Sequence, residues 1–238
     1  MPRIHFHQQL AELKDKLLAM AALSQQAVES AVDAWLQRDE GLCQYVRENE
    51  TAINTAQREV DEMAYELLSR EQPMAIDLRF ILAVIKINAD LERVGDAAKS
   101  ISDRVRTMDS MALADLPVDI PRMASLAANM VRKSLQSFIE ADAEMARSVL
   151  SMDDAVDGMN RAAHITLTHV MGTESHLAPQ ALNALMVCRS LERVADHATN
   201  IAEDVIFWVQ GADVRHKGSV DAAAAAALHA AETERPTN

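Results

Sequence analysis

Apolar residues recur along this chain with the three-and-four spacing of an α-helix almost from end to end. Leu10, Leu13, Leu17, Met20, Ala21, Ser24 and Val28 mark one stripe, and Leu42, Val46, Ile53, Val60, Met63 and Leu67 mark a second. Leu78, Ile81, Leu82, Ile85, Leu91, Val94, Ala98 and Ile101 mark a third. The stripes break at Asp39-Glu40-Gly41 and at Gln72-Pro73. Proline ends the preceding helix and is tolerated at the start of the next, so Pro73 is predicted in the first turn of the third helix. A linker over 109–121 follows, with Asp119 as an N-cap and Pro121 in the succeeding first turn. The second half repeats the scheme. One helix is predicted over about 122–141 and another to about 171. A polar break over 172–179 then leads into a long helix to about 208, which Gly211 ends.

Sequence self-similarity explains the repetition. Leu-Glu-Arg-Val-Gly-Asp-Ala-Ala-Lys-Ser-Ile occupies 91–101, and Leu-Glu-Arg-Val-Ala-Asp-His-Ala-Thr-Asn-Ile occupies 191–201, an offset of 100. Upstream, an offset of 103 pairs Trp35 with Phe138, Asp39 with Asp142, Leu42 with Met145, Val46 with Val149, Glu50 with Asp153 and Asn54 with Asp157. A three-residue change in the later loop reconciles the two offsets. The predicted fold class is all-α: six long helices in two tandem, pseudo-symmetric three-helix bundles, over 1–112 and 119–211. A 30-residue helix is about 45 Å long, so two such bundles side by side predict an elongated molecule. Residues 212–238, with the alanine run 222–227, are predicted to be a flexible, poorly anchored tail.

Composition agrees with helix packing. The chain has 238 residues, of which 49% are hydrophobic and only 3% aromatic, with six glycines and six prolines. That mix favours close helix–helix contact over a β-sandwich. A net charge of −13 argues against a nucleic-acid-binding surface, which needs a basic stripe. It also argues against direct capture of phosphate, although an anion can bind through a metal held by carboxylates. Cys43 and Cys188 form no CxxC motif, which points to a reduced, cytoplasmic setting. The N-terminus has no apolar signal core, and no apolar run is long enough to span a bilayer. A membrane role is therefore expected only peripherally, through partners.

The repeated phrase carries the candidate chemistry. Glu92/Asp96 and Glu192/Asp196 are each four apart, so each pair stacks two carboxylates on one helix face. Such like-charge pairs destabilise a helix slightly, and a matched pair in each half implies a cation to offset them. The second helices offer Glu50 and Asn54 in one half, and Asp153 and Asp157 in the other. Antiparallel packing would set each of these columns against a third-helix column. The resulting oxygen set suits iron, manganese, magnesium or calcium, and less specifically zinc. The competing reading is a solvated face with ion pairs, in which Lys99, three residues after Asp96, neutralises the first pair. Asp196 has no such neighbour. His197 points about 100° away from Asp196 and is expected beside the site or exposed. Cys188, one turn before Glu192, is expected to be a buried small side chain. Trp35, Phe138 and Trp208 are expected to anchor packing. No glutamate is followed three residues later by histidine, which weakens a ferritin-like di-iron reading. Nucleophile elbows, P-loops and GxGxxG turns are absent.

Three stretches together give the chain a family resemblance: Gln72-Pro-Met-Ala-Ile-Asp-Leu-Arg79, Asp90-Leu-Glu-Arg-Val-Gly-Asp96, and Leu191 to Glu203. Over about 5–210 it resembles the PhoU family, accessory regulators of bacterial phosphate-specific transport. The resemblance implies two three-helix bundles and metal, iron or zinc among others, at Glu92/Asp96 and Glu192/Asp196. Glu50, Asp153 and Asp157 are further candidate ligands. It implies a non-enzymatic, negative regulator of the phosphate-starvation response. The implied partners are the ATPase subunit of the phosphate ABC transporter and a membrane-bound sensor histidine kinase, and the expected assembly is a homodimer. The alternative is a metal-binding bundle with storage or metalloenzyme activity. The first signature departs from the family pattern at Lys99-Ser100-Ile101, where Lys-Asn-Ile is frequent, so the two metal sites are expected to differ.

Overall fold

The computed structural model describes residues 2–108 and 115–214, with side chains from residue 4 onward. The predicted tail over 212–238 falls outside the described residues from 215 on. Every long element is helical: α1 Pro2–Gln37, α2 Glu40–Glu71, α3 Ile76–Thr107, α4 Ile120–Glu140, α5 Ala143–Leu150, α6 Asp153–Thr173 and α7 Ala178–Gln210, with a short 3-10 turn at Ser175–Leu177. The helices α1, α2 and α3 form one bundle; α4, α7 and the broken pair α5–α6 form the other. The all-α class with six long helices therefore holds among the described residues, α5 being a short addition.

The duplication is visible in the turns. Arg38 and Ala141 each adopt the left-handed conformation, with φ of 54° and 53°. The next residue then caps the following helix in both halves. Asp39 accepts from the backbone N–H groups of Gly41 (2.7 Å) and Leu42 (3.1 Å), and Asp142 from those of Glu144 (2.9 Å) and Met145 (3.0 Å). These bonds satisfy amide donors that the first helical turn leaves open. The predicted break at Asp39-Glu40-Gly41 thus lies at Arg38–Asp39, and Gly41 is already helical. Asp119 caps α4 through the N–H of Arg122 at 3.0 Å. Gly211 closes α7 at φ 69°, its N–H reaching the carbonyl of Phe207 at 2.8 Å. A left-handed residue costs glycine nothing sterically.

Two helix boundaries differ from expectation. Pro73 is not in the first turn of α3: the helix starts at Ile76, and Gln72 to Ala75 form the connection. The helix predicted to run unbroken to about 171 is interrupted at Ser151-Met152. Ser148 bonds back to the carbonyl of Met145, and Ser151 to that of Ser148. Met152 N–H then bonds the carbonyl of Val149 at 2.9 Å instead of continuing the α-helical ladder. Serine side chains that compete for backbone groups favour such a break. The corresponding residues of α2, Glu48 and Asn49, run through uninterrupted.

One apolar cluster runs through both bundles, from Leu13, Leu17 and Met20 on α1 to Leu191, Val194 and Ile201 on α7. The central pair is α3 and α7, packed antiparallel. Arg79 Nε donates to the carbonyl of Trp208 (3.2 Å), Lys86 pairs with the buried Asp204 (3.5 Å), and Thr107 Oγ1 donates to Asn183 Oδ1 (2.9 Å). The rings of Phe80, Phe138 and Trp208 meet at 5.2–5.9 Å and tie α3, α4 and α7 together. Phe138 is fully buried and Trp208 partly so, while Trp35 packs at the rim of a small cluster of Ala34, Cys43 and Val105. Ser24, the polar member of the first stripe, is buried and donates to the carbonyl of Leu91 at 3.0 Å.

Candidate metal centre

Each half sets its second helix against its third, so the acidic columns face each other across a helix–helix contact. In the second half this brings Asp153 and Asp157 of α6 together with Asp196 of α7. One carboxylate oxygen from each lies within 4.8 Å of the others. Asp153 and Asp157 are half-buried. Asp153 Oδ1 is buried and has no hydrogen-bond partner. Asp157 Oδ2 accepts from Arg161 on the exposed side at 3.2 Å.

Electrostatics follow from this crowding. Burial and then the charges of Asp157, Asp196 and Asp154 push the Asp153 carboxyl up to about 6. Burial followed by Glu192 and Asp157 raises Asp196. Glu192 is raised by burial and then by Asp157, so it borders the cluster even though its oxygens stand outside the convergent set. Three acids held together, with Glu192 at the margin and a buried, partnerless oxygen among them, fit a hard divalent or trivalent cation, which favours all-oxygen ligation.

The first half is arranged differently. Lys99 Nζ reaches across from α3 to Glu50 Oε1 on α2 at 2.7 Å. Sequence spacing had aimed Lys99 at Asp96; the acid it bonds is on the neighbouring helix, because antiparallel packing brings Glu50 level with it. Glu92 is raised by burial and then by Asp96. Glu50, Glu92 and Asp96 form no convergent ligand set among the described residues.

Two residues were underrated from sequence. His197 is buried, and its Nδ1 lies 2.9 Å from Asp90 Oδ1, to which Asn200 Nδ2 also donates at 3.2 Å. Arg93 stands 4.0 Å from the same oxygen. The network crosses from α3 to α7 beside both acidic columns. Its repeat counterparts are Ser190, Ala97 and Ser100, so it is made once only. The signal was present as the unequal residues at matched positions, but only the packing reveals that they meet. Cys188 is buried as expected, and burial pushes its thiol up to about 11.

Comparison with known proteins gives a consistent result. The PhoU domain model matches twice, over residues 17–105 and 120–205. A phosphate-specific transport system accessory protein PhoU homolog from Pseudomonas aeruginosa is 38% identical over 214 residues, covering 90% of this chain and 88% of the relative. A homolog of the same description from Caulobacter vibrioides is 33% identical over 215 residues, covering 88% and 91%. The crystal structure of PhoU from Pseudomonas aeruginosa superposes with a TM-score of 0.84 at 36% identity, covering 87% of this chain and 100% of that one. The phosphate transport system regulatory protein PhoU from Streptococcus pneumoniae gives 0.79 at 26% identity, covering 88% and 99%.

Proposed function

The chain belongs to the PhoU family, and on that premise we propose that it is a negative regulator of the phosphate-starvation response. It acts in the cytoplasm as an adaptor, as a homodimer, between the ATPase subunit of a phosphate ABC transporter and a membrane-bound sensor histidine kinase. The supporting observation is the double match to the PhoU domain, with relatives named as phosphate transport accessory proteins along nearly their whole length. Those relatives favour a regulator over an enzyme. No helix among the described residues is long and apolar enough to cross a membrane, which is compatible with docking onto membrane-embedded partners.

A cation such as iron, zinc, manganese or magnesium belongs to this proposal. Asp153, Asp157 and Asp196 would hold it, with Glu192 at the margin. Bound there, it would supply positive charge that offsets the crowded carboxylates. The residues of the chain would do the rest: two acids on α6 and one on α7 would clamp the two helices, and the His197–Asp90 contact would carry that constraint to α3.

Deleting the gene in its native host should raise phosphatase expression and phosphate uptake in phosphate-rich medium. Expression that stays at the wild-type level would overturn the proposal.

A further inference from the structure

The two acidic columns descend from one ancestral half, yet they differ in charge at two of their matched positions. Glu50, Asn54, Glu92, Asp96 and Lys99 correspond to Asp153, Asp157, Glu192, Asp196 and Thr199. The first set carries three carboxylates and one ammonium, a formal −2; the second carries four carboxylates, a formal −4. Arginine is present in both halves at the next turn of the second helix. Arg189 of α7, whose counterpart is Ala89, adds a cation beside Glu192 at the margin of the second column. Arg58 donates to the carbonyl of Asn54, and Arg161 to Asp157, so arginine on the second helix does not distinguish them. Lysine does. Lys99 bridges α3 to Glu50 at 2.7 Å, whereas the Thr199 hydroxyl turns back onto the carbonyl of Asp196. The unsatisfied oxygen follows the same division: of the seven candidate acids, Asp153 is the one with a buried oxygen lacking a partner.

We infer that Lys99, with Asn54 in place of an acid, closes the first column to metal, so that its ammonium serves as a built-in counter-ion and the chain takes its cation at the second column. This rests on the cation reading above. The physical reason is charge. A divalent ion entering the first column meets a fixed positive charge a few Å away and one carboxylate fewer. Coulomb repulsion of that size, even in a water-like medium, weakens binding by about tenfold or more. The pseudo-symmetric molecule would then be asymmetric in its chemistry, with one half held by an internal ion pair and the other responsive to a ligand.

Manganese(II) alone is a suitable probe, with free ion followed by its electron paramagnetic resonance during titration of the full chain. The wild-type protein should show binding that is lost in Asp157→Asn/Asp196→Asn and unchanged in Glu92→Gln/Asp96→Asn. Thr199→Lys should weaken it at least about tenfold, by the same repulsion. Asn54→Asp/Lys99→Thr should add a second set of sites, which Glu92→Gln then removes. Wild-type binding that depends equally on both columns would overturn the inference alone, as would exchanged variants that bind like the wild type. A wild-type chain that binds no manganese would overturn the cation reading together with it.

Discussion

Asp153 sits where three influences on its carboxyl meet. As the first residue of α6 it lies at a helix N-terminus, which favours negative charge. Burial and the neighbouring Asp157 and Asp196 oppose that charge and prevail, pushing the group up to about 6 from an ordinary 3.8. The sign of the consequence follows by linkage. Between about pH 4 and 6 the folded chain keeps a proton that the unfolded chain has released. The stabilisation is full below that window and is lost as pH rises through 6. Metal-free protein should therefore melt at a lower temperature at pH 7 than at pH 5, and Asp153→Asn should flatten this slope and raise the melting temperature at pH 7. Added manganese, which requires the ionised carboxylate, should stabilise wild type more at pH 7 than at pH 5. Thermal melts at the two pH values check both; a slope unaffected by the substitution would contradict the assignment.

Between elements, the repeats show compensating changes in size. A Cβ on Gly95 of α3 would lie 2.9 Å from Ile53 Cδ1 of α2. The matched positions in the second half hold Val156 and Ala195, both fully buried, so one methylene has moved from one helix to the other. Gly95→Ala gains about 1 kcal/mol of helix propensity but crowds a packed contact, which costs about 1–3 kcal/mol. The single variant should be destabilised by about 1 kcal/mol, the middle of that balance, and Ile53→Val/Gly95→Ala should recover most of the loss. Urea unfolding of the four-member cycle measures the coupling, and strictly additive effects would rule it out. Element identity was legible in the sequence because apolar spacing reports a helical face directly. The break at Ser151-Met152 was not, because serines within a helix are common, as Ser134 and Ser137 in the unbroken α4 show, and only the Met152 N–H bond to Val149 marks the interruption.

At the scale of the molecule, the two bundles share one apolar cluster, joined by the ring contacts of Phe80, Phe138 and Trp208 and by the Asp90–His197 and Lys86–Asp204 contacts. A common core predicts a single cooperative transition in place of two. The tryptophans allow a direct test, since Trp35 belongs to the first bundle and Trp208 to the second. Trp35→Phe and Trp208→Phe leave one reporter each, and their urea transitions by fluorescence should coincide with one another and with loss of helical circular dichroism. Separated midpoints would mean that the bundles unfold independently.

The amino-acid sequence by itself determined the helical class, the duplication, the cap at Asp119 and the acidic columns, because periodicity, capping chemistry and repeated spacing are local properties of the chain. Tertiary structure decided how the columns are used. Lys99 lies three residues from Asp96, yet it bonds Glu50 on another helix. His197 follows Asp196, yet it meets Asp90 across the bundle contact. The α6 column of Asp153 and Asp157 meets Asp196 of α7. Each of these pairings joins residues distant in sequence, and an ion pair or ligand set is governed by distance and burial, which the order of residues does not contain.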